Sequence, residues 1–381
     1  MRLLHTSDWH LGRSLHRADL GPAQEAFVDH LVETVRAERV DVVLIAGDVY
    51  DRAVPPLESI GLFEQALRRL RAVGAQVIAI SGNHDSPLRL GVNAALLEGA
   101  GVFLRTRVAD CGRPILLADR HGPVAVHALP YLEPDAVRAA LGPEVGRSHE
   151  AVLGAAMQRV RTDLAGRDPR RSVLLSHGWV RGGVASESER DITVGGAGAV
   201  PADLFDGLGW VALGHLHGPQ RLADHLAYSG SPLAYSFSEA AHRKGSWLIE
   251  LGAAGVTDVS FVPAPVHRRL AKVRDELSAL LTAGRYAVDE DNFLAVTLTD
   301  PVRPPQAMDR LRARFPHVLT LLWDPPCGTA DAGSYAERLH DRDDQQIAEG
   351  FVEHVRGEAA SATERILLAD ALTAVRRTEA A

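Results

Sequence analysis

Cysteine is nearly absent from this chain of 381 residues: Cys111 and Cys327 are the only two. Two thiols so far apart exclude a disulfide framework and a thiolate zinc site, and both read as ordinary buried or surface thiols. Excess basic charge is lacking as well. The formal net charge is −8, whereas a protein that grips nucleic acid usually shows net basic character or a basic stripe. An acidic chain can still act on phosphates where divalent cations or a partner supply the positive charge. Long apolar runs are missing too. None reaches membrane-spanning length, and His5, Asp8 and His10 fall where a signal peptide needs an uninterrupted apolar stretch. A soluble, cytoplasmic protein is expected. There is no internal repeat and no Gly-x-x-x-x-Gly-Lys-Ser/Thr phosphate loop, so any dependence on ATP has to come from a partner.

What is present is enough apolar residue, 46%, for one large core and one or two smaller modules. Short apolar runs at Arg2–Thr6, Val42–Ala46, Val77–Ile80, Val124–Leu129, Val173–Ser176 and Val211–Leu213 read as core strands. Between the early ones, Pro22–Arg39 and Leu57–Val73 carry apolar residues at helical spacing, for example Phe27, Leu31 and Val35. Strand, helix, strand order predicts an α/β layered architecture. Late strands at Gly245–Leu251 and Val256–Val262 close on Pro263-Ala264-Pro265, which predicts a boundary there. The expected organisation is a main domain over 1–263, a small α/β module over 264–323, a linker over 324–343 and two amphipathic helices over 344–378. In the module, a helix is expected around Val273–Leu281, then strand Phe293–Leu298, helix Gln306–Phe315 and strand Val318–Leu322.

Five polar clusters each follow an expected strand: Asp8-Trp9-His10, Gly47-Asp48, Gly82-Asn83-His84-Asp85, Ser176-His177-Gly178 and Gly214-His215-Leu216-His217. In extended backbone, residues two apart point the same way, so Asp8 and His10 can reach one site, as can His215 and His217. Taken singly, an Asp-x-His triplet or a strand-end histidine is more often structural than a ligand. Five such clusters in this order point to one shared metal centre. Carboxylate, amide and imidazole donors without thiolate suit manganese, iron or zinc, and manganese fits the mixture well. Two ions need a bridging carboxylate, for which Asp48 is the natural choice, and the chemistry expected is metal-assisted phosphoester hydrolysis. The remaining histidines, among them His5, His30, His127 and His225, have no comparable cluster. Arg13 beside the first cluster reads equally as a phosphate contact or an ordinary loop arginine, so no DNA-contact residue is assigned.

These clusters resemble the calcineurin-like metallophosphoesterases, and their surroundings are similar to the bacterial SbcD nucleases. The likeness rests on Thr6-Ser7-Asp8-Trp9-His10-Leu11-Gly12, Gly47-Asp48-Val49-Tyr50-Asp51, Val211 to His217 and Tyr228 to Leu233. Ser186-Glu187-Ser188-Glu189-Arg190 and Val194-Gly195-Gly196 add to it. The resemblance implies a layered β-sandwich flanked by helices, with a small α/β capping, DNA-recognition domain and C-terminal helices. It implies Asp8, His10, Asp48 and His217 on one metal, most suitably Mn2+, and Asp48, Asn83, His177 and His215 on the other. His84 would then face the phosphate rather than bind metal, protonating the leaving oxygen or stabilising charge. Asp51 stands where archaeal and eukaryotic relatives carry a second histidine. Two roles stand open for it: orienting His84 or another imidazole, or bonding within its own loop.

A protein Ser/Thr phosphatase is the rival reading, since Gly47 to Arg52 and Gly82 to Asp85 echo that family. It fails where those enzymes carry glycine and arginine to clamp a phosphomonoester; here Ala53 and Ser81 occupy those places. Small-molecule phosphodiesterases of the superfamily do not call for the module or the terminal helices. The terminal helices themselves read two ways, packing on their own domain or docking onto another protein. The resemblance favours docking onto the coiled-coil ATPase SbcC. It further implies a homodimer, nucleoid-associated, acting in double-strand-break processing as a 3′-to-5′ exonuclease on double-stranded DNA and an endonuclease on single strands or hairpins.

Overall fold

The run Val42–Ala46 is buried at every position, as expected for a parallel strand covered on both faces. A computed structural model of the chain describes residues 1–192, 198–326 and 342–379; Val194 to Gly196 and Cys327 lie outside them. In it, β4 (Val42–Ala46) is central to a six-stranded sheet. Its parallel neighbours are β1 (Arg2–Thr6) and β5 (Gln76–Ile80), with β6 (Val102–Arg105) beyond β5. A short hairpin of β2 (Ser14–Leu15) and β3 (Ala18–Asp19) follows β1 in the chain. The antiparallel hairpin of β13 (Gly245–Gly252) and β14 (Gly255–Pro263) extends the other edge of β1. A second six-stranded sheet has the order β11 (Gln220–Ala223), β12 (Leu226–Tyr228), β10 (Trp210–Gly214), β9 (Ser172–His177), β8 (Gly122–Ala128) and β7 (Ile115–Asp119). Its middle pairs, β12 with β10, β10 with β9 and β9 with β8, are parallel.

Alternation along the strands sorts the side chains into three layers. Leu3, Leu44 and Ile78 of the first sheet meet Val126, Leu175 and Trp210 of the second. Val43, Ile45 and Ala79 face the other way, onto Phe27, Leu31 and Val35 of α1 (Gly21–Glu38) and Phe63 and Leu70 of α2 (Leu57–Ala72). On the far side, Leu174 and Val211 pack with Val152, Ala156 and Val160 of the helix His149–Leu164. The result is the expected helix-flanked β-sandwich. Each fully buried Leu or Ile contributes roughly 1.5–3 kcal/mol, and Leu44→Ala would cost about 2–5 kcal/mol through the cavity it leaves.

The segment after Pro265 forms a three-stranded parallel sheet of β15 (Leu270–Asp275), β16 (Phe293–Leu298) and β17 (Val318–Trp323). Helices Leu277–Thr282 and Ala307–Arg314 complete it, around Val273, Leu280, Val296, Leu311 and Phe315. The helix expected around Val273–Leu281 is therefore split. Val273 to Asp275 pair with Val296 to Leu298, and only Leu277–Thr282 is helical, because the ladder recruits the apolar residues ahead of it. Phe293 also joins Leu15, Leu20, Leu233, Tyr235 and Phe237 in one cluster, within the compact unit Met1–Asp324.

Pro325–Ala381 is a separate unit. Its helix Asp344–Arg356 opens with a capping box, in which Asp343 and Gln346 satisfy each other's backbone N–H, and stops at Gly357 in the left-handed conformation, φ 80°. Helix Ala362–Glu379 follows, tied to it by Arg356 and Glu364 at 2.6 Å. Phe351, Val355, Ile366, Leu367 and Val375 are all exposed. No described helix is long and apolar enough to cross a membrane.

Candidate metal centre

The parallel strands β1, β4, β5, β9 and β10 all run the same way into one end of the sandwich, and the five polar clusters sit where they end. Extended backbone is not what aims them. Asp8, His10, Asp48 and His215 all have positive φ, 54°, 44°, 49° and 107°, so each lies past its strand in a conformation that costs a non-glycine residue about 1–3 kcal/mol. Backbone pairing over-determines it: the N–H groups of Asp8 and His10 donate to the carbonyls of Gly47 and Asp48. Gly82 is required by close approach, since a Cβ there would sit under 3.0 Å from the Asp48 carboxylate and backbone nitrogen.

All seven side chains assigned to metal by resemblance come together. Ligating atoms of Asp8, His10 and His217 lie within 4.8 Å of one another, as do those of Asp8, Asp48 and His177. The Asn83 Oδ1 is 2.9 Å from His177 Nε2 and 3.2 Å from His215 Nδ1. Asp48 stands between the groups, its Oδ2 at 3.6 Å from His10 Nε2 and 3.5 Å from His177 Nε2. His10 Nε2 and His217 Nε2 face each other at 3.0 Å. The amide Nδ2 of Asn83 and the Nδ1 of His10 are buried without a hydrogen-bond partner. Facing imidazole nitrogens, two buried carboxylates and a carbonyl oxygen make a donor set that fits divalent cations.

The charges are strongly coupled. Burial alone would push the Asp48 carboxyl up, but His177 foremost, with His10 and His84, holds it well below the usual carboxylate range. Burial would likewise lower His177, yet Asp48 brings it up to about 9. Asp8 is raised to about 6 by burial, against the pull of His177 and His217. His215 is lowered to about 3 by burial and then by the neighbouring His177. A buried carboxylate pair that draws a proton onto an imidazole is a site that attracts positive charge.

Residues 1–141 match the family model described as calcineurin-like phosphoesterase, and residues 266–356 match the SbcD C-terminal model, described as type 5 capsule protein repressor C-terminal domain. Residues 1–141 thus carry a calcineurin-like phosphoesterase domain. Similar solved structures include TT1561 of Thermus thermophilus, at 13% identity over 69% of this chain and 98% of that one, TM-score 0.39. GAP50, the anchor in the inner membrane complex of Plasmodium, shares 14% identity over 86% and 99%, TM-score 0.39. A dimetal phosphatase from Danio rerio shares 12% over 70% and 99%, TM-score 0.40.

Within the matched domain, His84 is half-buried at the rim of the centre. Its Nδ1 donates to the backbone carbonyl of Asp51 at 2.8 Å, and its backbone N–H donates to Asp48 Oδ1 at 2.8 Å. Its ring also lies close enough to His10 and Asp48 to form a third cation-sized group. The Asp51 carboxylate points elsewhere, with Oδ1 3.6 Å from His10 Nδ1 and 3.7 Å from Arg13 Nε. Arg13 donates to the Ser188 carbonyl at 2.8 Å and lies 5.0 Å over the Tyr235 ring.

Several residues around the centre escaped the sequence reading. Asp85 accepts from the backbone N–H groups of Val49, Tyr50 and Gly82, bracing the Asp48 loop against the Asn83 loop. Gln24 of α1 donates to the His10 carbonyl and accepts from Gly12 N–H. The Tyr235 hydroxyl donates to the Trp9 carbonyl. Only Asp85 carried a signal, its place directly after Asn83-His84.

Proposed function

We propose that this phosphoesterase is a two-metal DNA nuclease, the catalytic subunit of an SbcCD-type complex that processes double-strand breaks. The observation that carries the reading is the convergence of Asp8, His10, Asn83, His177, His215 and His217 around Asp48, with His84 at the rim. Members of the family bind two divalent metals. Asp8, His10, Asp48 and His217 would hold one and Asp48, Asn83, His177 and His215 the other, with manganese best suited to the donors. When bound, two divalent ions would polarise the phosphodiester and acidify the attacking water. The chain's own part is positional. Asp48 keeps both halves of the site at a fixed spacing, and Asp85 and Gln24 lock the loops that carry the ligands. His84, with its Nδ1–H given to the Asp51 carbonyl, has Nε2 left for the leaving oxygen, which it would protonate or stabilise as the imidazolium, the form with a second hydrogen on Nε2.

The SbcD-type match over residues 266–356 supports a division of labour: nuclease domain 1–263, capping module 264–323 for DNA recognition, linker 324–343, and helices 344–378 for the SbcC ATPase. Exposed Leu57, Leu88 and Leu96, at 81%, 81% and 78%, offer apolar rows for homodimerisation. The expected activity is 3′-to-5′ exonuclease on double-stranded DNA and endonuclease on single strands and hairpins, in a nucleoid-associated cytoplasmic enzyme. The test is cleavage of end-labelled duplex and hairpin DNA with Mn2+, with and without SbcC, comparing wild type with His84→Ala and Asp48→Asn. Both variants should lose cleavage, Asp48→Asn by more than about 100-fold. Undiminished cleavage by Asp48→Asn overturns the two-metal reading, and a preference for phosphomonoesters over DNA overturns the nuclease.

A further inference from the structure

Every polar group of His217 except Nε2 is held by a residue with no place among the metal ligands. Its backbone N–H donates to Glu189 Oε1 at 2.7 Å. Its carbonyl accepts from Lys244 Nζ at 2.8 Å and from Ser231 N–H at 3.1 Å. Its Nδ1 meets Ser188 Oγ at 2.5 Å, and Ser188 Oγ in turn donates to Glu239 Oε1. The hydrogens can be followed from one end to the other. Lys244 has three N–H donors and no acceptor; they go to the His217 carbonyl, Ser231 Oγ and Glu239 Oε2. Glu239, 1% exposed, therefore faces an ammonium on one oxygen and is an acceptor on the other. The single hydroxyl hydrogen of Ser188 goes to it, which leaves Ser188 Oγ to accept from His217 Nδ1–H. That places the only ring hydrogen of neutral His217 on Nδ1 and a bare lone pair on Nε2, directed toward His10 Nε2 at 3.0 Å.

We propose that Ser188 and Glu239 are positioning residues that select the metal-binding tautomer of His217, and that the Ser186–Arg190 loop, through Ser188 and Glu189, thereby tunes the affinity of one metal site of the pair. This rests on the two-metal reading above. His177 shows the contrast: its Nδ1 donates to the backbone carbonyl of Ala46 at 2.9 Å, a group no side-chain substitution removes. The two ligands thus differ in kind, His177 oriented by main chain and His217 by a serine–carboxylate relay. Removing an orienting partner of a ligating imidazole typically costs 10–100-fold in affinity.

The test is titration of the full-length, metal-free protein with Mn2+, following free Mn2+ by its electron paramagnetic resonance signal, for wild type, Ser188→Ala and Ser188→Thr. Wild type should take up two ions. Ser188→Ala should bind one of them about 10–100-fold more weakly and leave the other unchanged, while Ser188→Thr, which keeps the hydroxyl, restores the wild-type isotherm. Wild type binding two ions and Ser188→Ala doing the same with unaltered affinities overturns the relay alone. Wild type binding no Mn2+ overturns the underlying two-metal reading instead. Should Ser188→Ala weaken both sites equally, or Ser188→Thr fail to restore binding, the serine acts on the fold and the proposal is lost.

Discussion

His5 is buried to 0% exposure in β1, three residues before Asp8, and its Nε2 donates to the carbonyl of Leu213 in the opposite sheet at 3.0 Å. That bond ties the two sheets together directly beneath the metal centre. The other ring nitrogen, Nδ1, is buried without a partner, so a second proton would have nowhere to go. Burial, only partly opposed by the Leu213 carbonyl, lowers the imidazole from 6.5 to about 3. The unfolded chain therefore binds a proton below about pH 6.5 that the folded chain refuses until about pH 3, and stability falls as pH falls through that window. At roughly 1.36 kcal/mol per unit, the full loss is about 5 kcal/mol below pH 3, of which about 2 kcal/mol is already gone at pH 5. His5→Leu gives up one hydrogen bond, about 1 kcal/mol at neutral pH, but carries no proton linkage. In urea denaturation of metal-free protein, followed by tryptophan fluorescence, to which Trp210 contributes with its ring edge-on to His5 at 6.4 Å, wild type should be the more stable near neutral pH. The order should reverse near pH 5. Other buried imidazoles titrate in both proteins and cancel in the difference. A wild-type advantage that stays constant from neutral pH to pH 5 would refute the reasoning, because it would mean that His5 folds with its proton.

Gly82→Ala should fold yet lose cleavage and Mn2+ uptake together, because the added Cβ collides with Asp48 rather than with a yielding side chain; full metal binding by this variant would contradict the packing of the two loops. Chelation should lower the melting temperature, and saturating Mn2+ at about a hundred times Kd should return roughly 2.7 kcal/mol, read by scanning calorimetry with and without EDTA. Phe351→Asp combined with Ile366→Asp, both at exposed positions, should abolish co-purification with SbcC while leaving Mn2+-dependent cleavage of short duplexes within about twofold; retained association would assign the helices another role.

Much of the metal centre is legible because its residues are short-range signals. Asp8 and His10, Asn83 and His84, and His215 and His217 each sit close behind an apolar run, and such runs identify strands whose ends bear function. The reason they share a site was less legible. Alternation in extended backbone suggested it, whereas positive φ at Asp8, His10 and His215 aims them. Strand-by-strand periodicity likewise placed Val273 in a helix, because a short apolar segment suits either element until its neighbours choose. Pairing of β15 with β16 chose strand.

By itself, then, the sequence determined the order of core strands, the identity of the clustered donors and the likeness of residues 1–141 to calcineurin-like phosphoesterases, since all three are encoded in contiguous residues. Only the tertiary structure decided which groups orient those donors. Glu239 and Lys244 reach His217 from 22 and 27 positions away, and Ser188 from 29. They do so from loops and the short 3-10 turn Phe237–Glu239, segments without periodicity, where nothing but the closing of two sheets against each other brings hydroxyl, carboxylate and imidazole within hydrogen-bonding distance.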